Sequence, residues 1–130
     1  MAKNEQLVLD YAVKTVDKAA NLIKADEVSV GIYPEGTRNR TEQELLPFHH
    51  GAATMSIKCK TPIIPIVIYS KPKFFRRTDI LIGEPLELTE YYNRKLSEEE
   101  MAQADEYLRQ HMLEMRRKHT EYLASKKKAK

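Results

Sequence analysis

Two short β-branched runs constrain this chain more than any other feature. Val28-Ser29-Val30-Gly31-Ile32-Tyr33 stops at Pro34, and Ile63-Ile64-Pro65-Ile66-Val67-Ile68-Tyr69 starts directly after Thr61-Pro62. Proline brings no N–H to a ladder and is confined to strand starts, ends and edges. Both runs therefore read as buried strands of fixed length, and Asp79-Ile80-Leu81-Ile82-Gly83 reads as a further strand. Helical periodicity surrounds them. Leu7, Tyr11, Thr15, Ala19, Leu22 and Ile23 share one helix face, which predicts an amphipathic helix over 4–24 and a turn at Ala25-Asp26-Glu27. Ala52, Ala53, Met55 and Ile57 predict a short helix over 51–58, after a polar loop over 39–44. Ser97 with Glu100 three residues on is a capping box. It opens a last helix over 97–125 whose apolar stripe is Met101, Ala104, Leu108, Met112 and Met115. Helix, strand, helix, strand, strand, helix is an α/β order, and 130 residues make one domain at most.

The charge is small overall, +3, but unevenly spread. Glu84 to Glu106 holds eight acids against two bases, and Arg109 to Lys130 eight bases against two acids. A basic end of this kind suits anionic lipid headgroups or nucleic-acid phosphate, and equally a solvated helix face with a lysine tail at 126–130. No nucleic-acid recognition motif accompanies it, so nucleic acid is not expected as a partner. Cys59 is the single cysteine, which excludes an internal disulfide and a cysteine metal site. The longest apolar run, 62–69, is strand length, far short of the ~20 residues of a membrane span.

Chemistry concentrates after the first run, in Pro34-Glu35-Gly36-Thr37-Arg38. A strand ending there would put these side chains at its carboxyl end, where ligands gather in open α/β sheets. Gly36 permits a positive φ in a tight turn and removes the Cβ that would hold a ligand off the backbone. Arg38 offers a planar fork of donors matching phosphate oxygens two at a time. Glu35 repels phosphate, so its roles would be to brace an arginine or to accept a hydrogen bond from a ligand hydroxyl. Spacing alone equally supports a surface turn with a weak Glu–Arg ion pair. His49-His50 reads as loop packing or solvent exposure, and the basic aromatic link 71–77, with Phe74-Phe75-Arg76-Arg77, as a hairpin connection. There is no P-loop, no Gly-x-Gly-x-x-Gly and no cluster at metal-ligand spacing.

Three blocks, "IYPEGTRNR", "LLPFHHGAA" and "TPIIPIVIY", in that order and spacing, resemble the glycerolipid acyltransferases, a family that includes the 1-acylglycerol-3-phosphate acyltransferases. Tyr33, Asn39 and His49-His50 depart mildly from the family's usual Phe, Ser and basic pair. The resemblance implies a glycerol-3-phosphate acyltransferase-like mixed sheet flanked by helices, an α/β fold of which 1–130 would be a partial, C-terminal portion. Residues 4–90 would form its core and 97–125 its last helix. It implies transfer of a fatty acyl group from acyl-CoA or acyl carrier protein to lysophosphatidate at the cytoplasmic face of a membrane. No metal or cofactor is required.

By that resemblance Glu35, Gly36, Thr37 and Arg38 form the acceptor-phosphate site, and Pro34, Pro62 and Pro65 shape the cleft. The family's base is the histidine of a His-x4-Asp block, its aspartate orienting the imidazole. Five positions after His49, His50, His111 and His119 stand Thr54, Met55, Arg116 and Ala124, so the block is absent here. The expectation is a binding fragment without catalytic residues, from a truncated chain or a split gene. An uncovered sheet edge would favour self-association.

Overall fold

The structure, a computed structural model, describes residues 2–26, 28–49, 51–68 and 78–128. Three helices and one hairpin carry the architecture: α1 (Ala2–Lys24), α2 (Gly51–Cys59), β1 (Ile66–Ile68), β2 (Ile80–Ile82) and α3 (Glu98–Lys128), with a 3-10 turn at Thr89–Tyr91. β1 and β2 pair antiparallel with Val67 opposite Leu81, and an isolated bridge joins Ile63 to Leu86. The last two runs are thus paired with each other. The basic aromatic link 71–77 itself lies outside the described residues.

Helix boundaries follow their local signals. At the start of α3 the Glu100 N–H donates to Ser97 Oγ at 3.2 Å, and the Ser97 N–H to Glu100 Oε1 at 3.4 Å, the reciprocal bonds of a capping box. α2 ends on Lys60, which takes a positive φ of 50°. The Thr61 N–H reaches back to Ser56 O at 3.1 Å and the Lys60 N–H to Ile57 O at 3.4 Å, so the last carbonyls are satisfied without a glycine.

α3 lies over the core. Leu45, Phe48, Ala52, Val67, Leu108 and Met112 form one buried cluster, and Ala53, Leu88 and Ala104 a second beneath the first turns of α3. The stripe read from the sequence is the face that packs. α1 leans on α2: Ala20 is buried, Lys58 Nζ meets Asp17 at 2.9 Å, and Cys59 Sγ donates to Ala20 O at 3.5 Å. Cys59 is half-buried, and that burial raises its thiol pKa above the usual value against the pull of Lys24 and Lys58.

Two strand expectations are corrected. Residues 28–33 form no strand among the described residues, and Val28, Val30 and Ile32 are exposed. A β-branched composition fits a pleated, half-covered surface; with no neighbouring strand to complete its ladder, the run stays unpaired. The second run is shorter than expected and covered on one face only. Val67 is 2% exposed, while Ile66 and Ile68 on β1 and Ile80 and Ile82 on β2 face outward. Among the described residues the sheet has two antiparallel strands packed with helices, a mixed α and β arrangement compatible with part of an α/β fold.

Candidate functional site

Residues 33–36 make a tight turn. The Gly36 N–H donates to Tyr33 O at 3.1 Å, with Pro34 second and glycine fourth, the residue preferences of a type I β-turn. Gly36 itself has φ +67°, a conformation that glycine adopts without strain. Residues 46–49 run back beside it. The His49 N–H donates to Pro34 O at 2.9 Å, and a Cβ added at Gly36 would lie 3.0 Å from His49 Cδ2. Glycine is therefore favoured here by its dihedral, and a larger residue would also press on the His49 ring. His49, expected to pack in a loop or face solvent, lies beside the turn and is exposed; His50 lies outside the described residues.

Glu35 makes a bond that the sequence did not suggest. Its Oε2 accepts the backbone N–H of Leu46 at 2.8 Å, so the carboxylate ties the turn to the chain that passes behind it. Leu45 and Leu46 are held in turn by Arg109 of α3. Its Nη2–H donates to Leu45 O at 2.8 Å, its Nε–H to Leu46 O at 3.1 Å, and its Nη1–H to Glu106 at 3.1 Å. Leu45 and Phe48 then anchor the segment in the core. A continuous path of bonds runs from Glu35 through Leu46 and Arg109 to α3.

Arg38 and Thr37 stand two residues beyond this brace, both exposed. No described residue pairs with Arg38, so the Glu35–Arg38 ion pair does not form. The turn thus directs its negative group toward the protein's own backbone and leaves its guanidinium accessible. Pro34 is half-buried and Pro65 buried, whereas Pro62 is exposed. Pro65 packs at Gly83, whose N–H donates to Pro65 O at 2.8 Å, and belongs to the hairpin rather than to the turn. A shallow depression of about 450 Å³, lined by Glu44, Leu113, Arg117 and Glu121 among others, includes none of residues 34–38.

Arg109 is the residue that sequence reasoning missed. Its targets lie more than sixty residues away in the chain, and helical periodicity marks only its place beside the apolar stripe. The one available signal is an arginine flanking the buried face, where a long side chain can reach backbone across the packing seam. Among the described residues no three His, Cys, Asp or Glu side chains gather as a metal site. A histidine–carboxylate contact is present elsewhere: His119 Nε2 and Asp79 Oδ2 stand 3.4 Å apart, joining α3 to the entry of β2.

The Acyltransferase family model matches residues 8–69, which contain the whole turn and its brace up to β1. Residues 8–69 are thus similar to the acyltransferases. The chain is 50% identical over 66 residues to the acl-1 protein of Caenorhabditis elegans, covering 51% of this chain and 24% of that one. It is 34% identical over 74 residues to 1-acyl-sn-glycerol-3-phosphate acyltransferase alpha of Mus musculus, 57% of this chain and 26% of the relative. To the 1-acyl-sn-glycerol-3-phosphate acyltransferase of Haemophilus influenzae it is 44% identical over 59 residues, 45% and 24% of the two chains. The matched stretches of the chain thus cover about a quarter of the length of these relatives. No solved structure matches the chain. Among the described residues no helix is long and apolar enough to cross a membrane.

Proposed function

We propose that the matched segment supplies the acceptor-phosphate site of a 1-acylglycerol-3-phosphate acyltransferase. In that reaction an acyl thioester, on coenzyme A or acyl carrier protein, gives its acyl group to the hydroxyl of lysophosphatidate. The products are phosphatidate and the free thiol. Arg38 grips the phosphate with two parallel hydrogen bonds, Thr37 adds a hydroxyl donor, and Gly36 lets the headgroup approach the backbone. Glu35 keeps the turn in shape while its charge is engaged by Leu46. The observation that carries this reading is an exposed Arg38, without a partner among the described residues, on a braced glycine turn inside the segment that the family model matches.

This chain alone binds the acceptor and transfers nothing, since its sequence holds no His-x4-Asp block to take the hydroxyl proton. Loss of such a base typically removes about 10²–10⁴-fold of rate. The expected result is saturable binding of lysophosphatidate, weaker binding of the monoacylglycerol that lacks the phosphate, and no thiol released from acyl-CoA. Thiol release by the purified chain would overturn its inactivity. Equal binding of the two lipids would overturn the phosphate site.

The chain works peripherally, at the cytoplasmic face of a membrane. Its outward isoleucines on β1 and β2 also support self-association, because an open two-stranded hairpin offers unpaired edges and an apolar face. Sedimentation velocity should show mass rising with concentration, and the Ile66→Thr/Ile82→Thr double variant should stay monomeric. A wild-type chain that is monomeric throughout would remove this part of the proposal.

A further inference from the structure

We propose that the overhanging end of α3, from Lys118 to Lys128, is the surface by which this chain meets anionic lipid. The inference rests on the reading that the chain works at a membrane, and it names the part of the chain that touches it. α3 outlasts its core. Its buried residues are Ala104, Asp105, Leu108 and Met112, and none of residues 113–128 is buried. Met115 still lies against Gly83 and His119 against Asp79. Beyond them, every hydrogen bond, ion pair and ring contact of residues 121–128 stays within α3 among the described residues.

The overhang is sorted by charge. Lys118, Tyr122 and Lys126 follow one another at intervals of four and so form a single row along the helix. Tyr122 is 51% exposed, and Lys126 Nζ sits 4.8 Å from its ring centroid. Lys127 and Lys128 extend the positive end. The acids of this half of the helix, Glu114 and Glu121, are both engaged by Arg117. What is left to meet a partner is a phenol ring flanked by ammonium groups on long apolar stems.

That combination fits a lipid interface. Tyrosine rings settle at headgroup depth, lysine stems lie along apolar surface while their heads stay wet, and an anionic leaflet attracts each lysine. Lysines in a last helical turn also complement the helix dipole, but that effect reaches only 126–128. It leaves the row beginning at Lys118, two turns earlier, without a purpose.

The test is co-sedimentation of the chain with vesicles of phosphatidylcholine alone or mixed with phosphatidylserine. Binding is expected only to the mixed vesicles and should fall with added salt. At about fivefold per lysine, the Lys126→Ala/Lys127→Ala/Lys128→Ala variant should bind them ~100-fold more weakly, and Tyr122→Ala should weaken binding too. The triple variant should keep its helical circular dichroism and its binding of lysophosphatidate, because none of these lysines belongs to the turn at 33–38. Undiminished vesicle binding by the triple variant overturns the proposal. So does tighter, equally lysine-dependent binding to duplex DNA than to vesicles. Loss of lysophosphatidate binding with vesicle binding intact counts against the acceptor site alone, so the two readings fail separately.

Discussion

Replacing Arg38 with alanine is expected to weaken lysophosphatidate binding by about 10–100-fold, since hydrogen bonds to charged groups contribute about 1.5–3 kcal/mol. Arg38 has no partner among the described residues, so its removal breaks no bond among them. Unfolding stability should therefore stay within ~0.5 kcal/mol of the wild type, as for surface changes generally. Arg38→Lys should recover only part of the affinity, because an ammonium is a point charge without the fork that takes two phosphate oxygens. Titration with lysophosphatidate and with the phosphate-free monoacylglycerol separates headgroup from chain. The loss should appear with the first lipid only. Equal losses with both would show Arg38 acting on the acyl chain or on the fold, and no loss would remove it from the site.

Leu108→Ala carries the largest expected effect on stability. Leu108 is 1% exposed and belongs to the cluster with Leu45, Phe48, Ala52, Val67 and Met112. Truncating such a side chain removes its transfer free energy and leaves a cavity, typically at 2–5 kcal/mol. Domains have only about 5–15 kcal/mol in total, so the urea midpoint should fall steeply. The same cluster anchors Leu45 and Phe48, which border the chain that Glu35 holds. The variant should therefore lose lysophosphatidate binding before it loses its helices. Leu123→Ala, past the end of the core, should shift the midpoint far less. A Leu108→Ala shift below ~1 kcal/mol, outside the range for a buried leucine, would mean that α3 does not pack where the structure has it.

The parts of this fold that were legible in the sequence are those whose causes are local. The Ser97–Glu100 box and the stripe from Met101 to Met115 place α3, and both depend on neighbours within a few positions. Gly36 in its tight turn is equally local. Residues 28–33 misled because strand formation needs a partner, and composition states only the willingness to pair. β1 misled in a related way: consecutive isoleucines suggest cover on both faces, yet only the Val67 side has it. Glu35 and Arg109 were out of reach for a different reason. Their bonds run to backbone atoms of Leu45 and Leu46, and any residue at those positions would offer the same carbonyl or N–H. No side-chain pattern encodes such a target.

The bond from Glu35 to Leu46 has a consequence for how this chain can vary. Between them lies an excursion, exposed over 40–44, in which the Asn39 side chain holds Thr41 and Gln43, Thr41 Oγ1 accepts from the Gln43 N–H, and Glu44 meets Arg116 at 3.5 Å. Both ends are fastened independently, one at the carboxylate and the other under Arg109. Extra residues added after Glu42 would disturb the bonds of Gln43 and Glu44 but leave both fastened ends in place, since doubling a loop's length costs only about 0.6 kcal/mol of closure entropy. The arginine-bearing stem is thus insulated from growth or shrinkage at its own tip.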